Sequence, residues 1–189
     1  DYYGHATSYL MAEMFELHDR NRYEILGVCY GLSPKDEMRQ RVATSFDRFL
    51  EVADKPDSEI AQMLREMKVD IAVDLKGHTQ GSRLGILAKS VAPVQIHYLG
   101  YPGTLGAPFI DYLVADPTLV PEEHRLFYSE KIIYMPDAYQ VNDRSREVAQ
   151  LEDVRRDHGL PDNAFVFCCF NNNWKITPDV FDIWMRLLA

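Results

Sequence analysis

Val69-Asp70-Ile71-Ala72-Val73-Asp74-Leu75, running into Lys76-Gly77-His78-Thr79, decides how this 189-residue chain is read. A short apolar run rich in β-branched residues, ending abruptly in polar and glycine residues, predicts a buried central strand with a chemistry-bearing loop at its tip. Upstream, Ser58 opens a helix whose apolar stripe is Ile60, Met63, Leu64 and Met67. Before that the pattern predicts a helix from Ala6 to His18, a strand over residues 23–30, a helix over 35–45 and an extended piece over 46–52. Downstream come a short helix over 83–90, a strand over 94–99, a glycine-rich turn over 100–106 and a strand over 112–115. A helical turn over 121–127 and a strand over 131–134 complete the series. Strands and helices alternating at these lengths imply parallel βαβ units. The fold class is therefore α/β, an open Rossmann-like parallel sheet with helices on both faces.

The rhythm breaks over residues 141–160, which are polar, charge-dense and turn-rich. It then restarts with a strand over 165–170, a loop over 171–175 and a helix start at Thr177-Pro178, the favoured pair for N-cap and first helical position. The expected organisation is a first lobe over 1–142, a linker over 143–160 and the beginning of a second lobe over 161–189. Starting without Met and stopping inside a helix, the chain reads as an excerpt of a longer protein.

Composition narrows the function. Hydrophobic residues at 47% and charged residues at 26% are ordinary for a globular domain, and the formal charge is −9. With no compact Lys/Arg block, nucleic acid is not an expected partner. No apolar run approaches the roughly 20 residues that cross a bilayer, so no membrane partner is expected either. Three cysteines without repeated spacing argue against a disulfide framework or a zinc site and fit a reducing, cytoplasmic setting. His18, His97, His124 and His158 lack metal-ligand spacing, and no Asp-x-Asp occurs, so no metal is expected.

Ligands of open parallel sheets bind beyond the carboxyl ends of the strands. Three segments follow predicted strands there: residues 76–79, 100–106 and 171–175. The helix start at Thr177 turns free amides and partial positive charge toward the same edge as Lys175, which suits an anion such as a leaving diphosphate. An ordinary solvated lysine is the alternative. Residues 100–106 match neither dinucleotide nor Walker-type phosphate motifs. Their proline and glycines allow either close backbone approach to a ligand or simply a tight turn. His5, beside a helix N-terminus, can stay neutral and accept a proton or orient a hydroxyl, or it can be a capping residue. His78 carries the same two readings.

Taken in order, Asp1-Tyr2-Tyr3-Gly4-His5-Ala6-Thr7-Ser8-Tyr9-Leu10-Met11, Asp74-Leu75-Lys76-Gly77-His78-Thr79, PVQIHYLGYPGTLG from Pro93 to Gly106, Tyr128-Ser129-Glu130-Lys131 through Met135-Pro136-Asp137, and Cys169-Phe170-Asn171-Asn172-Asn173-Trp174-Lys175-Ile176 resemble the catalytic region of the O-linked N-acetylglucosamine transferases. That family of inverting, two-lobed (GT-B) glycosyltransferases includes the bacterial N-glucosyltransferases. The resemblance implies an N-terminal GT-B lobe plus the start of the C-terminal lobe, with UDP-sugar as substrate, no cofactor and no metal. It implies a protein or peptide acceptor, and the remaining C-terminal lobe as partner. His5 matches the active-site histidine, and Leu99, Gly100, Pro102, Gly103 and Thr104 match the sugar-pocket loop. His78 matches a bacterial form of its motif, where animal members carry Tyr. Lys175 matches the lysine that neutralises the departing diphosphate. Asn172 stands where animal members carry Gln, and Trp174 where they carry Tyr. The first strand of the lobe is expected before Asp1, and most uridine contacts after Ala189. Between the lobes, the short linker looks bacterial.

The expected function is inverting transfer of N-acetylglucosamine from a UDP-sugar to Ser or Thr hydroxyls, the excerpt alone being inactive. The rivals are N-glucosyl transfer from UDP-glucose to Asn, and a non-catalytic Rossmann-like binding module.

Overall fold

The computed structural model describes residues 1–32, 34–148 and 154–189. Ser33 and residues 149–153, the latter part of the predicted linker, lie outside the described residues. Two compact units emerge, Asp1–Arg146 and Glu147–Ala189.

In the first unit, β1 (Leu26–Cys29) and β2 (Arg48–Glu51) pair in parallel, with Leu26 opposite Arg48 and Cys29 opposite Glu51. A second sheet carries β3 (Ile71–Asp74), β4 (Val94–His97), β5 (Tyr112–Ala115) and β6 (Lys131–Tyr134), side by side in chain order. All of its ladders are parallel. The helices α1 (Ala6–Glu16), α2 (Glu37–Thr44) and α3 (Asp57–Glu66) supply the cover.

The α/β parallel class holds, with two corrections of detail. The expected single open sheet is two sheets, and β3 is an edge strand rather than a central one. Apolar character specifies that a strand has buried surface, whereas hydrogen-bonded neighbours are chosen by distant residues. Ile71 and Val73 are about half exposed (54% and 50%), while Ala72, of opposite parity, is packed.

Helix α3 links the two sheets. Its Ile60, Ala61 and Leu64 form a core with Val52, Ile86 and Val91, and both Val28 of β1 and Ala72 of β3 pack against it. Burying such side chains contributes about 1.5–3 kcal/mol each. Another core joins Met11, Ala12 and Phe15 of α1 to Val42 of α2 and to Tyr98 and Leu99, just past β4. That contact fastens the segment following β4 to the first helix.

The predicted helix over 83–90 is instead a turn followed by a 3-10 turn, Leu87–Lys89. Gly85 weakens helix propensity there, and Ser90 closes the segment in the left-handed region at φ 53°. The 121–127 turn is a 3-10 helix, Glu122–Phe127.

Ion pairs fasten the end of the first unit. Arg41 of α2 donates to the fully buried Asp143 carboxylate at 2.6 Å and to Glu16 of α1 at 2.8 Å. Arg144 donates to Glu13 at 2.8 Å. The Arg41 guanidinium holds the Asp143 carboxyl down at about 2, against about 3.9 when unfolded. A depressed acid stabilises the fold above its unfolded value, and that contribution fades as pH falls from about 4 through about 2. Asp143→Asn is therefore expected to lower stability at pH 6 and to flatten the acid loss between pH 4 and 2. Urea unfolding across that range measures it; an unchanged acid slope would contradict the assignment.

In the second unit, α4 (Pro178–Leu188) starts as expected, with the Thr177 hydroxyl accepting from the Val180 amide at 3.4 Å. Residues 165–170 are not a strand. Strand conformation is held by a neighbour's hydrogen bonds, and among the described residues of this unit no other strand exists. Phe165 and Phe170 are accordingly exposed. Among the described residues no helix is long and apolar enough to cross a membrane.

Candidate active site

Parallel strands place their carboxyl ends on one edge, and the chemistry-bearing loops of the first unit follow β3 and β4 there. Asp74 ends β3 opposite His97, which ends β4. Gly100 lies so close to the Leu75 carbonyl that a side-chain carbon there would overlap it. The two loops thus touch backbone to backbone.

Glycine is required at Gly77 for a second reason. It has φ 56°, and a Cβ would come 2.6 Å from the His97 ring and 2.7 Å from Tyr101. Leu99 also adopts a left-handed backbone, φ 69°, which is strained for a branched residue. Its buried side chain in the α1 core holds it there. The family resemblance implies a sugar-pocket role for Leu99; the structure turns its side chain into the core, leaving its backbone to the loop.

Each remaining residue of this loop has a definite place. Tyr101 packs edge-on against His78 with centroids 5.4 Å apart, and His78 Nε2 lies 3.1 Å from the Leu105 carbonyl. Pro102 is exposed, and Gly103 sits against the Tyr101 ring. The Thr104 hydroxyl donates to Glu130 at 2.7 Å and accepts from the Gly106 amide, while the other Glu130 oxygen accepts from the Leu105 amide. Glu130 is buried, so a carboxylate with two partners fixes the far end of the loop.

His5 is the N-cap of α1, its Nδ1 accepting from the Thr7 amide at 3.2 Å. A neutral His5 therefore carries its proton on Nε2 and presents a donor. Burial first, then the nearby Lys76, pushes the imidazole below its usual range and favours that neutral form. Asp36, the N-cap of α2, accepts from Gly4 at 2.7 Å and ties this turn to the second helix.

Lys76 was not singled out by sequence. Its Nζ donates to Asp1 Oδ2 at 2.5 Å, and the same carboxylate oxygen lies 4.0 Å from His5 Nε2. Burial lowers the ammonium's proton affinity. The structure thus connects His5, Lys76, His78 and the 99–105 loop along one edge. Lys76 already stood in the strand-ending Lys-Gly-His-Thr; its link to Asp1, 75 positions away, has no local signal.

Lys175 and Asn172 belong to the second unit. Asn172 precedes the 3-10 turn Asn173–Lys175, and both residues are exposed. Lys175 Nζ lies 5.5 Å from the Trp174 ring centroid, a cation–π contact between two exposed side chains.

A separate depression of about 490 Å³ is lined by Glu122, Glu123, Arg125, Leu126, Glu130, Lys131 and Ile132. Three carboxyl-bearing residues against two cations make it a poor seat for a diphosphate, so the strand-tip loops remain the candidate site.

Fold and site define a parallel α/β lobe with its ligand-facing loops at the carboxyl edge. The sequence profile of Glycosyl transferase family 41 matches residues 1–155, and the chain belongs to that family. It is 37% identical over 195 residues to the probable UDP-N-acetylglucosamine–peptide N-acetylglucosaminyltransferase SEC of Arabidopsis thaliana, covering 100% of this chain and 20% of that protein. It is 32% identical over 156 residues to the UDP-N-acetylglucosamine–peptide N-acetylglucosaminyltransferase of Caenorhabditis elegans, covering 81% of this chain and 13% of that one. A solved mutant of the O-GlcNAc transferase of Thermobaculum terrenum superposes with a TM-score of 0.85 at 30% identity, over 98% of this chain and 34% of that one. The chain spans about one fifth of the length of SEC and of the SPINDLY protein of Petunia hybrida.

Proposed function

We propose that the whole protein transfers N-acetylglucosamine from a UDP-sugar to Ser or Thr hydroxyls of proteins, inverting the anomeric centre. The observation that carries this reading is end-to-end similarity to peptide N-acetylglucosaminyltransferases, combined with interlocked loops at the carboxyl edge of the parallel lobe.

In this reading the acceptor oxygen forms its bond to the anomeric carbon as the bond to the diphosphate breaks, the acceptor proton passing to solvent or a base. Positive charge builds on the sugar ring and negative charge on the departing UDP. Lys175 and the amides of the α4 start meet the second charge, with no metal assigned. The backbone of residues 99–104 cradles the sugar. His5, with Nδ1 already accepting from Thr7, offers its Nε2–H to orient a substrate oxygen. Asn172 and His78 contact the substrate from their loops. The exposed Cys168 and Cys169 fit work in a reducing cytoplasm.

The test is donor competition with the full-length protein, a Ser/Thr peptide, and UDP-GlcNAc mixed with UDP-glucose, read by product mass. Hydroxyl-linked N-acetylhexosamine is expected. Hexose on Asn would replace the reading with the N-glucosyl rival, and no transfer would refute it.

A further inference from the structure

We propose that His97 is a positioning residue for the sugar-pocket loop: clamped by Asp74, it holds the Tyr101 carbonyl and sets the turn over residues 99–104. The inference deepens the proposed transferase reading and rests on it for the substrate, though not for the geometry.

His97 is fully buried at the end of β4. Its Nδ1 lies 3.2 Å from Asp74 Oδ2 on the adjacent strand tip, and its Nε2 reaches the Tyr101 carbonyl. A carbonyl oxygen only accepts, so Nε2 carries a proton. Nδ1 then either donates to a carboxylate or accepts from a carboxylic acid. Both arrangements leave the pair neutral overall, which is how such groups survive burial.

Asp74 Oδ2 also accepts from the Gly77 amide at 2.6 Å. One oxygen therefore joins the β3 loop to the imidazole that holds the β4 loop. Gly77 packs so near the ring that a side-chain carbon there would come 2.6 Å from it. Motion of the Tyr101 carbonyl would carry its ring, and with it the packing of His78 and Gly103. An apolar residue could fill this site without the desolvation cost of a buried ion pair; what it could not do is hold the turn by its carbonyl.

Two substitutions split the hydrogen bonds. The amide nitrogen of Asn takes the place of Nδ1 and keeps the Asp74 contact, whereas that of Gln reaches the place of Nε2 and keeps the Tyr101 contact. In the full-length protein, His97→Gln is expected to retain a near-normal donor KM. His97→Asn is expected to raise it about tenfold, the scale of one lost positioning hydrogen bond, with a smaller change in kcat. Hydrogen exchange of peptides spanning residues 98–106, read by mass spectrometry on the same proteins, should quicken in Asn and not in Gln. Should His97→Asn fail to fold, His97→Leu takes its place with the same expectation.

Equal losses in Asn and Gln, a larger loss in Gln, or no change in either would overturn the proposal. If the parent protein transfers no sugar, the transferase reading fails by itself, and the exchange pattern alone decides whether His97 positions the loop.

Discussion

Lys175→Ala in the full-length protein is expected to lower turnover a few-hundred-fold at saturating donor, at least as severely as His5→Ala. In the proposed transfer, departure of UDP would concentrate negative charge that a fixed cation and oriented amides can meet. Removing one such preorganised contact typically costs about 3–4 kcal/mol of barrier. Both parts lie in one short stretch: Lys175, with Nζ 5.5 Å from the Trp174 ring centroid, and the α4 start capped by Thr177 with Pro178 at its first position. His5 offers a single neutral donor from the N-cap of α1, and one such hydrogen bond is worth about 1 kcal/mol, roughly fivefold in rate. Steady-state kinetics on both variants decide the matter. A loss confined to donor KM would assign Lys175 to binding alone, and near-normal turnover would remove it from the chemistry.

Gly100→Ala is the second large effect. Its Cβ would overlap the Leu75 carbonyl, and the obstacle is backbone at the tip of β3, which cannot swing aside as a side chain does. Overpacking of this kind costs roughly 1–3 kcal/mol, or about 2–12 °C in Tm for a chain of this size. Parting the two loops should also abolish donor binding, since residues 76–79 and 99–104 no longer meet. Gly106→Ala is the control. Open space surrounds Gly106, and only its φ of 61° opposes a side chain, so a loss near 1 kcal/mol with the loop contact intact is expected. Thermal unfolding and transfer assays on the two variants separate steric parting of the loops from simple backbone strain.

Local pattern was enough where one segment carries its own boundaries. Residues 112–115 and 131–134 are strands to the residue, and Thr177-Pro178 begins a helix because side-chain oxygen and fixed φ act within one turn. Failures came where the outcome depends on partners. Residues 165–170 have strand composition but form no ladder, and the β3 run is buried on one face only. Gly85 and Ser90 turned an expected helix into a 3-10 turn, a balance of small local terms that periodicity does not weigh.

The site divides in the same way. Its loops were legible because polar and glycine residues followed predicted strands. Their internal wiring was not, because Lys76 finds its carboxylate at Asp1, Leu105 its acceptor at Glu130, and His97 its clamp at Asp74. Nothing in the spacing of His97 marked it, and metal-ligand arithmetic set it aside.

Hydrogen-exchange mapping of UDP-GlcNAc on the full-length protein tests the account most directly. Slowed exchange in peptides covering residues 76–79, 98–106 and 171–180 is the expected pattern. Protection centred instead on the acidic depression at residues 122–132, with the strand-tip loops unchanged, would contradict it.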